Sequence, residues 1–174
     1  DKACEALGSG CITPDAACLS YGTSASIIVT QRRYREVRPL IPPFPSAVPH
    51  AYNLEVQIYR GYWMVEWFKH EFGAAEVARG AALDVPPEAL FEDLLTASPP
   101  GSMGLVLQPY WTPGPELASY AKGSVIGFGD IHTRAHLYRA IIEGLLFALR
   151  EGGQLTEKKN GVPWLAPAWI SRDM

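Results

Sequence analysis

Gly22, Thr23 and Ser24 stand together between two short runs of small, β-branched and apolar residues. Strands separated by such a tight Gly-Thr step are expected to form a β-hairpin. The backbone amides of this kind of turn can point outward together, beside the two hydroxyls, and such a group of donors suits the oxygens of a phosphate. The same residues also suit an ordinary turn, so their spacing alone leaves both interpretations open.

The other residues that could do chemistry have simpler explanations. Asp1 precedes a run of helix-forming residues, where a carboxylate can accept backbone hydrogen bonds as an N-cap. His132 and His136 are four residues apart near Asp130, a spacing that can place two imidazoles on one helical face. However, no glutamate follows His132 as it does in zinc peptidases, and His132 is expected to precede the helix. We therefore assign no metal site.

Composition narrows the class of protein. The chain has 174 residues, 48% of them apolar and 19% charged, which is ordinary for one globular domain. A net charge of −3 gives no support to a nucleic-acid or membrane partner. No apolar run is long enough to span a bilayer, and no signal peptide is recognised, so a cytoplasmic location is expected. Three evenly spaced cysteines suggest reduced, mostly buried thiols, at positions 4, 11 and 18.

Hydrophobic periodicity predicts the elements that must position these residues. Strands are expected at 16–21, 24–30, 34–37, 55–59, 104–111 and 124–128. Helices are expected at 3–7, 61–72, 74–82, 88–95 and 133–150. Five prolines between residues 38 and 49 predict an extended surface loop, since proline removes an amide donor and fixes φ. Strands followed by interspersed helices indicate an α/β or α+β layer.

The helix predicted over residues 133–150 is the strongest in the sequence. Its apolar residues cover most of its surface, so it is expected to lie in the core with one narrow polar stripe. That stripe contains His136, Arg139, Glu143 and Arg150. Arg139 and Glu143 are spaced for an ion pair on one helical face. The aromatic helix over 61–72 is likewise expected to be largely buried.

Two longer segments resemble the FGGY carbohydrate kinases. SVIGFGDIHTRAHLYRAIIEG, from Ser124 to Gly144, is similar to a signature of that family, together with the small residue Gly123 before it. DKACEALGSGCITPDAACLSYGTS, at the start of the chain, resembles the opening of the family's second domain. With EVQIYRGYWMVEWFKHEFG, the resemblance extends over residues 1 to 164, and residues 165–174 diverge from it.

The resemblance implies a fold and an activity. The fold is α/β, an actin-like ATPase (ribonuclease H-like) domain with a mixed sheet and packed helices, present here as one partial domain. The activity is transfer of the ATP γ-phosphate to a hydroxyl of a ketose or polyol, with Mg²⁺ accompanying ATP. Asp1 matches the carboxylate that acts as general base on the attacking hydroxyl, and Lys2 occupies the next position, where relatives often contact the sugar.

The resemblance also assigns the phosphate-binding residues. Gly22 and Thr23 match the turn whose amide and hydroxyl meet the ATP phosphates, and Ser24 lies beside them. Gly61 matches another nucleotide-facing glycine, with Tyr62 as the alternative if the alignment slips by one residue. For the helix from His136 to Glu143 the resemblance implies a structural role.

The sequence leaves open whether the chain is catalytic by itself and which class of function it has. We expect the chain to be a piece of a longer kinase and to be inactive alone, because the family's sugar-binding domain and its adenosine-binding Gly-Gly-Gly turn are not found in it. One alternative is a non-catalytic, kinase-derived module for interaction or dimerisation, and a homodimer is the oligomer considered. Another is a different enzyme of the actin-like superfamily, such as an acetate-type kinase or a chaperone-type ATPase. The sequence does not identify the sugar.

Overall fold

The computed structural model describes residues 2 to 39, 41 to 114 and 120 to 160; Asp1 and the predicted tail 165–174 lie outside them. The helices are α1 (Lys2–Gly8), α2 (Trp63–Phe72), α3 (Ala74–Leu83), α4 (Glu92–Thr96) and α5 (Arg134–Asn160). Two 3-10 helices cover Pro87–Phe91 and Ser102–Gly104. The strands are β1 (Cys18–Tyr21), β2 (Ala25–Gln31), β3 (Phe44–Pro45), β4 (Tyr52–Ile58), β5 (Val106–Gln108) and β6 (Ser124–Ile126).

The described strands form two sheets. The larger has the order β1-β2-β4-β3, and β5 pairs with β6 in a separate two-stranded sheet. All these pairings are antiparallel, which corrects the expectation of a mixed sheet for this part of the chain. Short connections without a crossover helix join the strands of the larger sheet, and such connections favour antiparallel neighbours. The α/β class itself is confirmed.

The two faces of the larger sheet differ in polarity. Side chains alternate along β2 and β4, and Ile27, Leu54 and Val56 cluster with Leu155 of α5. The opposite face lies under α1 and the loop after it, where Ile28 packs on Ala6 and two cysteines. This second face carries buried or nearly buried polar side chains, namely Ser26, Thr30, Asn53 and Glu55. The sheet is therefore apolar toward α5 and largely polar toward α1.

Helix α5 is the centre of the main core. It packs on both sheets, and its buried apolar residues meet those of α2 and of the segment before α4. The largest of these side chains are Met64, Phe68, Phe91, Tyr138, Ile141 and Leu145. Close approach occurs at two glycines of α5. A β-carbon on Gly144 would lie 2.6 Å from the Leu107 carbonyl oxygen, and one on Gly152 would lie 2.8 Å from Val56.

Most predicted elements are confirmed, with changed limits. The long helix extends ten residues beyond the predicted Arg150. The helix predicted at 88–95 begins as a 3-10 helix at Pro87 and continues as α4. The aromatic helix buries Met64 and Phe68 fully, whereas Phe72 remains 40% exposed. All three cysteines are free thiols, and two of them are buried while Cys4 is exposed.

Two strand predictions and one loop prediction need correction. No strand forms at Tyr34–Val37, because the chain bends after Gln31, whose side-chain amide donates to the Arg33 carbonyl oxygen. The strand predicted over 104–111 covers only Val106–Gln108, and its buried face packs on α5. The proline-rich loop contributes the two-residue strand β3, and an edge position tolerates its proline.

No helix among the described residues combines the length and apolar content needed to cross a membrane.

Candidate functional site

The Gly22–Ser24 turn joins β1 to β2 and lies against the start of α2. The Gly22 amide donates to the Ser24 carbonyl oxygen at 3.0 Å, which closes the turn. The carbonyl oxygens of Thr23 and Gly22 accept the amides of Gly61 and Tyr62, both at 2.9 Å. The turn therefore supplies acceptors to the first amides before α2, a position where no side-chain cap is present.

Gly61 is the point of closest contact between these segments. A β-carbon there would lie 2.2 Å from the Ala25 backbone nitrogen and 2.7 Å from the Ser24 carbonyl carbon. No side chain larger than hydrogen fits without moving the backbone. The structure thus brings together the four residues expected to bind phosphate, and Tyr62, the alternative to Gly61, adjoins them.

The outer side of the turn is open to solvent. Gly22 and Thr23 are exposed and Ser24 is half-buried. Within the described part of the chain, the amides and hydroxyls of Thr23 and Ser24 donate to no other residue. Tyr21 and Tyr62 stack edge to face beside the turn, with ring centroids 5.3 Å apart. Partial burial raises the pKa of both phenols, so they stay neutral and add no negative charge near these donors.

Lys2 is held by two side chains of the polar sheet face. Its ammonium lies 2.8 Å from a carboxylate oxygen of Glu55 and 2.5 Å from the hydroxyl of Ser26. Ser26 is fully buried and follows the turn by two residues on β2. These contacts anchor the first turn of α1 to the sheet close to Gly22–Ser24. Whether Lys2 contacts a sugar stays a prediction, and Asp1 lies outside the described residues.

The sequence pattern did not single out Glu55 and Ser26 as residues of the site. Alternation in β2 and β4 placed them on the face opposite the apolar core, which is normally read as solvent-exposed. The short helix α1, whose only buried side chain is Ala6, covers this face instead. The available signal was a carboxylate in the middle of β4, between the apolar residues Leu54 and Val56.

A second turn, just before β5, has unusual backbone geometry. Four consecutive residues have positive φ, namely Gly101 (81°), Ser102 (49°), Met103 (54°) and Gly104 (91°). Two of them carry side chains, for which the left-handed region is unfavourable. The Gly104 amide donates to the Gly101 carbonyl oxygen at 2.8 Å, so the segment is one left-handed helical turn.

Residues of the family-like signature hold this left-handed turn in place. The buried hydroxyl of Ser102 donates to the His136 carbonyl oxygen at 2.5 Å, and Glu143 accepts the Gly101 amide at 3.0 Å. Arg139 lies 3.4 Å from the same carboxylate, as the spacing predicted. A β-carbon on Gly127 would lie 2.5 Å from the Gly104 carbonyl oxygen. The polar stripe of α5 therefore faces a neighbouring segment of the protein.

The two histidines have local structural roles. Nδ1 of His132 accepts the Gly129 amide at 2.8 Å, and Nδ1 of His136 accepts the Thr133 amide at 3.1 Å. The second contact caps the first turn of α5 in the way a glutamate does in a capping box. The described residues contain no group of three or more His, Cys, Asp or Glu placed to hold a metal ion.

Comparison with known proteins places this geometry in a family. The model of the C-terminal domain of the FGGY family of carbohydrate kinases matches residues 17–169. A xylulose kinase of Lactococcus lactis is 31% identical over 161 residues, covering 91% of this chain and 30% of that protein. An Escherichia coli protein named uncharacterized sugar kinase YgcE is 29% identical over 151 residues, covering 86% of this chain and 30% of that protein.

The fold agrees with that assignment. The crystal structure of xylulose kinase from Rhodospirillum rubrum superposes with a TM-score of 0.78 at 24% identity, covering 94% of this chain and 31% of that chain. The chain therefore belongs to the FGGY family of carbohydrate kinases and has the actin-like ATPase fold of that family. It spans about 30% of the length of the relatives it matches.

Proposed function

We propose that this chain is the phosphate-binding part of a cytoplasmic, ATP-dependent kinase that phosphorylates a hydroxyl of a ketose or polyol. The observation that carries the proposal is the exposed Gly22–Ser24 turn packed on Gly61, with donors that no other described residue uses. The names of the relatives, xylulose kinase and glycerol kinase, support the substrate class. Since the chain spans about 30% of those relatives, the complete activity belongs to a longer protein.

The turn suits a phosphate chain chemically. The amides of Thr23 and Ser24 and their hydroxyls can donate to phosphate oxygens, and the turn's carbonyl oxygens are already used by the start of α2. Gly61 has no side chain, so it keeps the loop close to α2 and leaves the approach open. Phosphoryl transfer depends mainly on positioning and charge neutralisation, and fixed backbone donors supply both without rearrangement.

Asp1 is proposed as the general base. Its carboxylate would take the proton of the attacking sugar hydroxyl, and a positioned carboxylate is suited to that role. Lys2, the next residue, would orient the sugar, and Glu55 and Ser26 fix where its ammonium lies. Mg²⁺ would arrive with ATP and neutralise phosphate charge; we assign no described residue as its ligand.

The test uses an intact kinase that contains this chain. Asp1→Asn should abolish sugar-dependent ADP formation and leave ATP binding unchanged, because only proton removal is lost. Glu5→Gln, an exposed carboxylate of the same helix, is the control and should keep full turnover. Retained turnover in Asp1→Asn would remove Asp1 as the base. The 174-residue chain alone should show no turnover, and sustained sugar phosphorylation by it would contradict the proposal.

One observation favours a second candidate, a module that dimerises without catalysis. The outer face of the β5–β6 sheet exposes Val106 and Ile126 by 57% and 67%, and Phe128, two residues after β6, is 61% exposed. Neighbouring exposed apolar side chains often mark an association surface. Sedimentation equilibrium should then show a dimer in wild type and a monomer in Ile126→Asp. A monomeric wild-type chain at every concentration would exclude this candidate.

A further inference from the structure

A cavity lies at the opposite end of β2 from the Gly22–Ser24 turn. Its volume is about 380 Å³, and three segments and the end of β2 line it. Five strand residues, from Ala25 to Val29, separate it from the turn, so Ser24 and Thr30 lie about 20 Å apart at the usual rise per residue. The lining residues are Ile12, Thr13, Pro14, Thr30, Gln31, Arg32, Arg33, Arg35, Val48 and Ala51.

Hydrogen bonds hold the walls of this cavity. The Thr30 hydroxyl donates to the Cys11 carbonyl oxygen at 2.6 Å and fixes the wall that begins at Ile12. The Gln31 side-chain amide donates to the Arg33 carbonyl oxygen at 2.7 Å and fixes the arginine wall. On the third wall the Ala51 amide donates to Val48. The cavity is therefore part of the folded structure before any ligand binds.

The positive charge of the chain is concentrated here. The whole chain has a net charge of −3, yet Arg32, Arg33 and Arg35 lie within four residues and all line the cavity. Glu36, the acidic residue of this segment, accepts a hydrogen bond from the Tyr34 hydroxyl at 3.1 Å. Arg35 donates to the Lys159 carbonyl oxygen, so the last turn of α5, which contains Lys158 and Lys159, lies next to the arginine segment.

Two of these arginines are available for an anion. In the described ranges, neither Arg32 nor Arg33 forms an ion pair with a carboxylate, and both are exposed. Asp15, which follows Pro14 on the opposite wall, is also exposed and accepts a hydrogen bond from Thr13, which lowers its carboxyl pKa. Asp15 and Glu36 are the carboxylates next to these segments, and neither lines the cavity, whereas Arg32 and Arg33 do.

We propose that this cavity binds a phosphorylated small molecule, separate from the site of phosphoryl transfer. Guanidinium groups bind phosphate with two parallel charge-assisted hydrogen bonds. The Gln31 side-chain amide keeps its oxygen and one N–H for a hydroxyl of an attached carbon skeleton, and Val48 and Ala51 can contact its apolar parts. The volume falls within the range of about 300 to 1,000 Å³ for small-molecule sites. A phosphorylated product or metabolite bound here would be an effector.

Isothermal titration calorimetry of the full 174-residue chain tests the proposal without requiring turnover. The probes are xylulose 5-phosphate, unphosphorylated xylulose and inorganic phosphate. The sugar phosphate should bind at least about tenfold more tightly than either of the others, because it alone supplies both the charge and the carbon skeleton. Amide chemical shifts of Thr30, Gln31 and Ala51 should move on its addition, and those of Thr23 and Ser24 should not.

Variants locate the binding. The double substitution Arg32→Ala with Arg33→Ala should weaken sugar-phosphate binding by about tenfold or more, since hydrogen bonds to charged groups are lost. Arg150→Ala, an exposed arginine outside the cavity lining, should bind as wild type does. Thr23→Ala should also bind as wild type, and this separates the cavity from the proposed nucleotide site.

Three results would overturn the proposal. They are absence of sugar-phosphate binding to wild type, equal binding of inorganic phosphate, and binding that falls in Thr23→Ala but persists in the double arginine variant. Failure of phosphoryl transfer in the intact kinase would leave these binding results unaffected, so the two proposals fail separately.

Discussion

Two turns of this molecule, Gly22–Ser24 and Gly101–Gly104, are held in opposite ways. The first is exposed at Gly22 and Thr23, is joined to the start of α2 by backbone hydrogen bonds, and has donors that no other described residue uses. The second has four consecutive positive φ angles and is held by side chains of Ser102 and Glu143. The first lies in a segment that carries the family resemblance, and the second is held by His136 and Glu143 of another such segment. Segments of this kind therefore combine ligand-facing and structural residues.

The strain in the second turn shows what the polar stripe of α5 does. Each side-chain-bearing residue in the left-handed region costs on the order of 1 kcal/mol or more, and Ser102 and Met103 are adjacent. Such a segment persists only where its surroundings over-determine it. The first turn needs no such support, which leaves its polar groups free for a ligand.

The largest expected effect on stability is at Gly61. Gly61→Ala should lower the free energy of unfolding by about 3 kcal/mol, because the new methyl group would overlap the backbone at Ala25. Urea unfolding followed by tryptophan fluorescence measures this. Gly22→Ala is the matched control, since its nearest atom would lie at 3.5 Å, and it should cost less than about 1 kcal/mol. Equal effects at both glycines would show that the turn is not packed on Gly61.

The second largest effect on stability is expected at the start of α5, the helix whose residues hold the second turn. Arg134 makes a bidentate ion pair with Glu76 of α3, with distances of 2.6 and 2.7 Å. Glu76→Gln should cost about 2 kcal/mol at neutral pH, because Glu76 is 8% exposed and the guanidinium loses its charged partner. Chemical denaturation at neutral pH measures the loss.

The stability difference between wild type and Glu76→Gln should depend on pH, and the lowered pKa of Glu76 sets the direction of that dependence. Hydrogen bonding from Arg134 lowers the pKa of Glu76 below its usual value. The stabilisation is therefore complete above the usual glutamate pKa and disappears as pH falls through the lowered value. The difference between wild type and Glu76→Gln should shrink in acid. Glu66→Gln, which removes the exposed ion pairs of Glu66 with Lys69 and His70, should change little at any pH. A pH-independent difference would contradict this account.

Ser102→Ala comes third and tests the second turn directly. It removes the buried hydrogen bond to the His136 carbonyl oxygen and keeps the left-handed strain, so a loss of about 1 to 2 kcal/mol is expected. Ser24→Ala in the first turn should cost less than about 0.5 kcal/mol. If both serines have equal effects in urea unfolding, the distinction between the two turns is wrong.

Thr23→Ala should have the smallest effect on stability, within about 0.5 kcal/mol, because Thr23 is exposed. In the intact kinase it should nevertheless weaken ATP binding by about tenfold, since a hydrogen bond to a charged phosphate is lost. Thr23→Ser keeps the hydroxyl and should restore binding. Unchanged ATP affinity in Thr23→Ala would remove the turn from the proposed site.

Short-range patterns predicted the elements near the candidate site well. Turn chemistry at Gly22 and Thr23 placed the hairpin, and helical periodicity placed α2 and α5. The resemblance placed Gly61 next to the turn, which local patterns alone do not indicate. These successes share one cause, because the deciding interactions lie within a few residues or within one amphipathic face.

The features that the sequence did not predict depend mostly on contacts between residues far apart in the chain. The anchoring of Lys2 by Glu55 joins residues more than 50 positions apart, and no local pattern encodes it. The left-handed turn depends on Glu143, some 40 residues later in the chain. Serine rarely adopts a positive φ, so the sequence does not indicate this conformation at Ser102. The failed strand at Tyr34–Val37 has suitable side chains, but the chain bends away after Gln31.

Helix α5 has 27 residues, about 40 Å at 1.5 Å per residue, and touches β5 at Gly144 and β4 at Gly152. A two-stranded sheet such as β5–β6 is marginal by itself in water. One continuous helix packs against both sheets. Separating the sheets therefore requires either unfolding α5 or exposing the face of α5 that packs on one of them. The β5–β6 ribbon therefore shares the cooperativity of the larger sheet, and its amides should exchange with solvent only when the whole unit opens.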